Sequence, residues 1–178
     1  MVDNRLKQTP SQTIGPFFGF GLTPKEYSYG FSELVSGKMR SADLAGEPVI
    51  IRGRVIDGEN TAINDAMVEF WQADPNGYHN TKIREGLFGY GRSGTGISEK
   101  QEFYFETYKP GSIGTGYAPH VDIIVFGRGI SNHLFTRMYF PDEIDNENDL
   151  LLNQLEEQQA SRLIARLVRP GFYYFDIF

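Results

Sequence analysis

The chain contains no cysteine, which excludes both a disulfide framework and a thiolate-held metal. Basic side chains are outnumbered, 17 against 23 acidic, for a formal charge of −6. Binding to polyanions depends on clustered Lys and Arg, so without a basic stripe no nucleic-acid partner is expected. No run approaches the roughly 18 consecutive apolar residues of a membrane span. The segment from Met1 to Gln8 lacks the apolar core of a secretory signal. A soluble cytoplasmic protein is therefore expected. Histidine is scarce, with only His79, His120 and His133 to supply imidazole.

Aromatic residues are plentiful at 14%, and 20 glycines and 9 prolines are spread along the 178 positions. A chain of this size buries roughly 70% of its extended-chain surface, enough for a core without metal or disulfide staples. The dispersed turn formers indicate many short strands. From Gln8 to Phe18 the prolines Pro10 and Pro16 remove backbone donors and hold their predecessors extended, as in an ordered arm. A mixed, polar stretch follows, with a short helix predicted near Ser32–Val35.

From Pro48 onward the pattern is β. Strands are predicted at Val49–Ile56, Ala66–Gln72, Phe103–Tyr108, His120–Phe126, Leu134–Phe140 and Phe172–Phe178, with Arg162–Val168 a further candidate. Turn signals such as Asp57-Gly58, Asp74-Pro-Asn-Gly77 and Pro110-Gly111 separate them. Thr81–Gly96, rich in glycine, reads as a long loop. One helix is predicted over Asp149–Gln159, where Leu151 and Leu155 stand at i, i+4 behind an acidic start. The expectation is one mostly β domain, an antiparallel β-sandwich with long loops and one short helix. Residues 1–47 form its N-terminal arm and irregular segment, and 48–178 the sandwich.

Few residues suggest chemistry. Trp71 in an apolar strand reads as core, and His79 and His133 as surface residues. The acidic run Asp142 to Asp149 lacks the glycine and terminal Glu of a calcium loop. His120 and Asp122 share one face of a strand. They are weak metal candidates, because a facial-triad site needs a second imidazole. The plainer reading is a buried, hydrogen-bonded His120 and an Asp122 paired with a neighbouring donor. Arg128, between Gly127 and Gly129, suits an anionic substrate or a partner's carboxylate, or is a surface arginine at a turn.

Several blocks together resemble the intradiol ring-cleavage dioxygenases: Thr9-Pro-Ser-Gln-Thr-Ile-Gly-Pro-Phe-Phe18, Gly53 to Gly58, Asp65 to Gly77, Phe105 to Gly111, Ala118-Pro-His120, Phe126 to Ile130 and Leu134 to Phe140. They stand in family order and cover nearly the whole chain. The resemblance implies a β-sandwich and an Fe(3+) held by two tyrosinates and two histidines, where a chelated catecholate reacts with O₂. This chain departs from the ligand pattern. Asp122 stands in the second histidine position, Ser112, Ile113 and Gly114 stand where one tyrosine is expected, and Tyr90 aligns poorly with the other.

Those departures resemble the α-type subunits of the family, which bind no iron themselves. No catalytic residue and no metal is then expected in this chain. The iron would sit on a β-type partner subunit, with a small-molecule carboxylated catechol and O₂ as substrates. By position, Thr13, Gly15, Pro16, Phe17 and Arg128 would line the composite site near the substrate carboxylate, Phe17 standing where a hydroxyl-bearing aromatic is often seen. The alternative is a binding or scaffolding module of the same fold without ring cleavage.

Overall fold

A computed structural model describes residues 8–40, 45–79, 89–96 and 98–178. Among the described residues, eight strands fall into two sheets. The first contains β1 (Pro48–Gly53), β4 (Phe103–Tyr108), β7 (Arg166–Arg169) and β8 (Phe172–Tyr174), in the order β4-β1-β8-β7. The second contains β2 (Met67–Gln72), β3 (Tyr90–Gly94), β5 (His120–Phe126) and β6 (Leu134–Tyr139), in the order β3-β2-β5-β6. The mostly β sandwich expected from the sequence is what forms. Its pairings are antiparallel except β1 with β8, which run parallel with Ile51 opposite Tyr173.

The core lies between the sheets because the strands alternate. Val49 and Ile51 of β1, Phe103 and Phe105 of β4, Val68 and Phe70 of β2, and Val121, Ile123 and Val125 of β5 all point inward. The rings of Phe70 and Phe105 stack across the gap, centroids 3.6 Å apart and 9° from parallel. Buried polar groups join the sheets, Gln72 foremost. Gln72 donates through Nε2 to the Tyr108 carbonyl at 2.8 Å and accepts from Thr107 Oγ1 at 3.0 Å. A buried amide costs little when its partners are supplied in this way.

The structure corrects four local expectations. Ser32–Val35 is not helical, and Leu34 is 99% exposed. One isolated turn cannot offset the cost of helix nucleation. The short turns lie earlier, as 3₁₀ segments at Phe18–Gly21 and Pro24–Tyr27, the second opened by Pro24 with its fixed φ. The helix predicted over Asp149–Gln159 is displaced: a 3₁₀ turn spans Leu152–Gln154, and α1 spans Glu157–Arg162. Extended backbone at Asp149 and Leu155 interrupts the run, and Gln159 caps the helix by accepting from Glu156 N at 3.3 Å.

The third correction is in Thr81–Gly96, of which 81–88 lie outside the described residues. Its far end is β3, paired with β2. Gly91 faces the core there, where a Cβ would meet Met39 at 2.6 Å and the Phe105 ring at 3.2 Å. The neighbours supply the bulk, so the strand carries no hydrophobic signal of its own. Last, the strands predicted at Val49–Ile56 and Phe172–Phe178 stop early, at Gly53 and Tyr174. Beyond them a Val55–Ile177 bridge and the Arg54–Asp176 ion pair join the two segments.

Within the arm and irregular segment, Met39 is buried, and residues 37–39 pair with β4 through hydrogen bonds between Met39 N and Glu106 O and between Glu106 N and Gly37 O, both 2.8 Å. The 3₁₀ turns cover the outer face of the second sheet at one end. There Phe18 packs on Phe126, and Glu26 accepts from Gly94 N at 2.7 Å.

Candidate functional site

Residues of β3, β2, β5 and β6 alternate, so the second sheet turns rows of side chains away from the core. One row runs Tyr90, Trp71, Asp122, Arg137 across the four strands in direct register. Beside it, Arg92 pairs with Glu69 at 2.6 Å and donates to the Tyr90 hydroxyl at 2.8 Å. Arg137 donates through Nε to Asp122 at 2.8 Å and through Nη1 to the Tyr139 hydroxyl at 3.2 Å. Tyr139 in turn donates to Asp149 at 2.9 Å. His120 and Asp122 do share a face, with Nε2 and Oδ2 3.9 Å apart.

His120 is buried, and its Nδ1 lies 2.6 Å from the Ala118 carbonyl. Nδ1 therefore carries the proton and donates, and Nε2 keeps its lone pair. Burial lowers the His120 pKa below the ordinary value, so the ring is neutral. Asp122 is paired with a neighbouring donor, as the plainer reading anticipated, and the donor is Arg137. Tyr90 is pushed up to about 12, first by burial and then by the Glu69 carboxylate. Trp71 is half-buried rather than core. Its indole is covered by His79, whose ring stacks on it at 5.6 Å and 4°.

The arm meets the loop after β5. Thr13 Oγ1 accepts from Gly129 N at 2.9 Å, a contact between residues 116 positions apart. Gly129 holds φ at +88°, which aims its N–H at the arm and suits glycine alone at little cost. A cavity of about 320 Å³ opens at this junction, lined by Thr13, Ile14, Phe18, Phe126, Ile130 and His133 among others. Gly15, Pro16 and Phe17 stand exposed on the same arm, Phe17 at 72%. His133 is exposed, as expected, and packs edge-on against Phe135 and obliquely against Phe126.

The structure thus brings Thr13 and the Arg128 loop together. Arg128 itself is ion-paired through Nε with Asp65, a residue that the sequence reading did not single out. Arg92, Arg137, Tyr139 and Asp149 were missed as well. The alternation of Thr136, Arg137 and Met138 carried the signal, since it sets Arg137 on the Asp122 face once β5 and β6 are paired in register.

Comparisons with known proteins agree with this architecture. The model of the family described as Dioxygenase matches residues 30–169. The dioxygenase domain of a carbohydrate-binding fusion protein from Streptomyces sp. SirexAA-E superposes with a TM-score of 0.61 at 21% identity, covering 96% of this chain and 97% of that one, a likeness of fold. The chain belongs to the intradiol ring-cleavage dioxygenase family. Within it, the chain is similar to the protocatechuate 3,4-dioxygenase alpha chain of Burkholderia cepacia, 39% identical over 97% of this chain and 92% of the relative. The alpha chain from Pseudomonas putida is 36% identical over 97% and 91%. The beta chain from Burkholderia cepacia is 27% identical over 90% and 72%.

The family is generally iron-dependent. The side chains here do not fit a ferric ion. Such an ion needs anionic oxygen donors and no competing cation. Asp122 is already bound to a guanidinium, the Tyr90 phenol is held in its neutral form, and the cations Arg137 and Arg92 stand in the row and beside it. At an effective dielectric of about 20, a guanidinium about 5 Å from a cation costs about 3 kcal/mol per unit charge. Among the described residues no three His, Asp or Glu side chains gather as a metal cluster.

Proposed function

We propose that this chain is an α-type subunit of a protocatechuate 3,4-dioxygenase, binding no iron and completing a composite active site on a β-type partner that carries it. The assembled enzyme cleaves protocatechuate with O₂ between its two hydroxyl-bearing carbons, giving 3-carboxy-cis,cis-muconate, in the cytoplasm. The reading is supported above all by the Thr13–Gly129 hydrogen bond, which holds the arm and the Arg128 loop as one surface. Greater identity to an alpha chain than to the beta chain of the same organism, 39% against 27%, points the same way.

On this reading Thr13, Gly15, Pro16 and Phe17 form a wall of the cleft, and Arg128 serves the substrate carboxylate. A guanidinium has five donors, so the bond from Nε to Asp65 fixes its position and leaves others for the ligand. Iron on the partner supplies the site where the catecholate and O₂ react. This chain orients the carboxylate end and keeps water from it. Co-expression with a β-type chain, followed by metal analysis and oxygen uptake on protocatechuate, tests the proposal. Turnover should require both chains, and a partner fully active without this chain would refute it.

A further inference from the structure

Hydrogen bonds link Arg137 to a carboxylate on each side, Asp122 directly and Asp149 through Tyr139. Asp149, fully buried, accepts from the Tyr139 hydroxyl and from Ala118 N, both at 2.9 Å. Tyr139 accepts from Arg137, and Arg137 donates to Asp122. The other carboxylate oxygen of Asp122 faces His120 Nε2, and His120 donates back to the Ala118 carbonyl. Arg137 is therefore fixed at both ends, its side chain only 23% exposed. An exposed ion pair that is free to rearrange contributes little, but one locked by buried partners has a single geometry.

We propose that the Asp122–Arg137 ion pair is a built-in substitute for a metal. The guanidinium supplies, from the chain itself, the positive charge that balances the carboxylate beside the bare Nε2 of His120. It thereby closes this side of the sheet to cations. The inference rests on the reading that the chain binds no iron, and it goes further by naming what keeps iron out. Changing Asp122 alone to histidine would place two imidazoles on one strand face, at i and i+2, a spacing suited to one metal ion. Both would still lie beside a fixed guanidinium.

The test is titration calorimetry with Ni²⁺ on the full chain and on the variants Asp122→His, Arg137→Met and the double variant. The double variant should bind about tenfold or more tightly than Asp122→His, because the like charge has gone. Equal affinity within about twofold, or a folded double variant that binds nothing, overturns the inference. Thermal unfolding of Asp122→Asn, Arg137→Met and their combination gives a second readout. The pair acting as a unit predicts a combined loss in Tm well below the sum of the single losses, and additive losses contradict it. Stoichiometric iron in the unmodified chain would sink the proposed function itself. A metal-free parent with a folded, non-binding double variant would sink this inference alone.

Discussion

Arg128 stands between two glycines, paired with Asp65 and one peptide away from the arm contact at Gly129. A hydrogen bond to a charged group is worth about 1.5–3 kcal/mol. In the assembled enzyme, Arg128→Ala should therefore lower kcat/KM for protocatechuate about 10- to 150-fold. Plain catechol, lacking the carboxylate, should lose far less, and equal losses on both substrates would make Arg128 structural. Glu26 gives a second test at this scale. Burial raises its carboxyl from 4.5 to about 6. The folded chain then holds this proton more tightly than the unfolded chain, so stability falls as pH rises between about 4.5 and 6 and is flat above that for this group. Glu26→Gln keeps an oxygen for Gly94 N–H and removes the charge. It should raise Tm at pH 7 and flatten the pH dependence across that window. Thermal unfolding at pH 4.5, 6 and 7 measures this, and an unchanged slope would refute it.

Strands announced themselves where side chains carried the pattern. β5 has the bounds read from its sequence, His120 to Phe126, because every second residue is apolar and buried. β3 was invisible because its core-facing positions are Gly91 and Ser93, whose neighbours Phe70, Met39 and Phe105 fill the space. Helix α1 was misplaced because Asp149 accepts from the N–H groups of Leu151 and Leu152, a tertiary arrangement that leucine spacing does not encode. Of the candidate site, the arm motif and Arg128 were legible as local signatures. Asp65 and Arg137 were not, since their roles arise from register and from chain segments meeting in space. Gly91→Ala tests the account of β3. The added methyl must displace Met39 and press on Phe105, a small-to-large change that should cost about 1–3 kcal/mol in denaturant unfolding. A neutral result would mean that the strand owes nothing to this close approach.

As a whole molecule, the chain buries a sandwich core yet leaves an aromatic arm outside it. Phe17 is 72% exposed, while Phe20 packs among Phe17, Tyr27 and Tyr29. Exposed aromatics of this kind anchor interfaces, at about 2 kcal/mol or more each. Deleting residues 1–20 should weaken association with a β-type partner while the two sheets still unfold cooperatively, as size measurement and circular dichroism together would show. Unchanged assembly would place the interface elsewhere. The central claim is that this chain brings no iron and completes a site on a chain that does. Its most direct test is to titrate the purified chain into an iron-loaded β-type partner and record oxygen uptake on protocatechuate. The account predicts a colourless, iron-free chain and activity that rises to a plateau at one chain per partner. A chain that carries about one iron, with its own visible band and its own oxygen uptake, would contradict it.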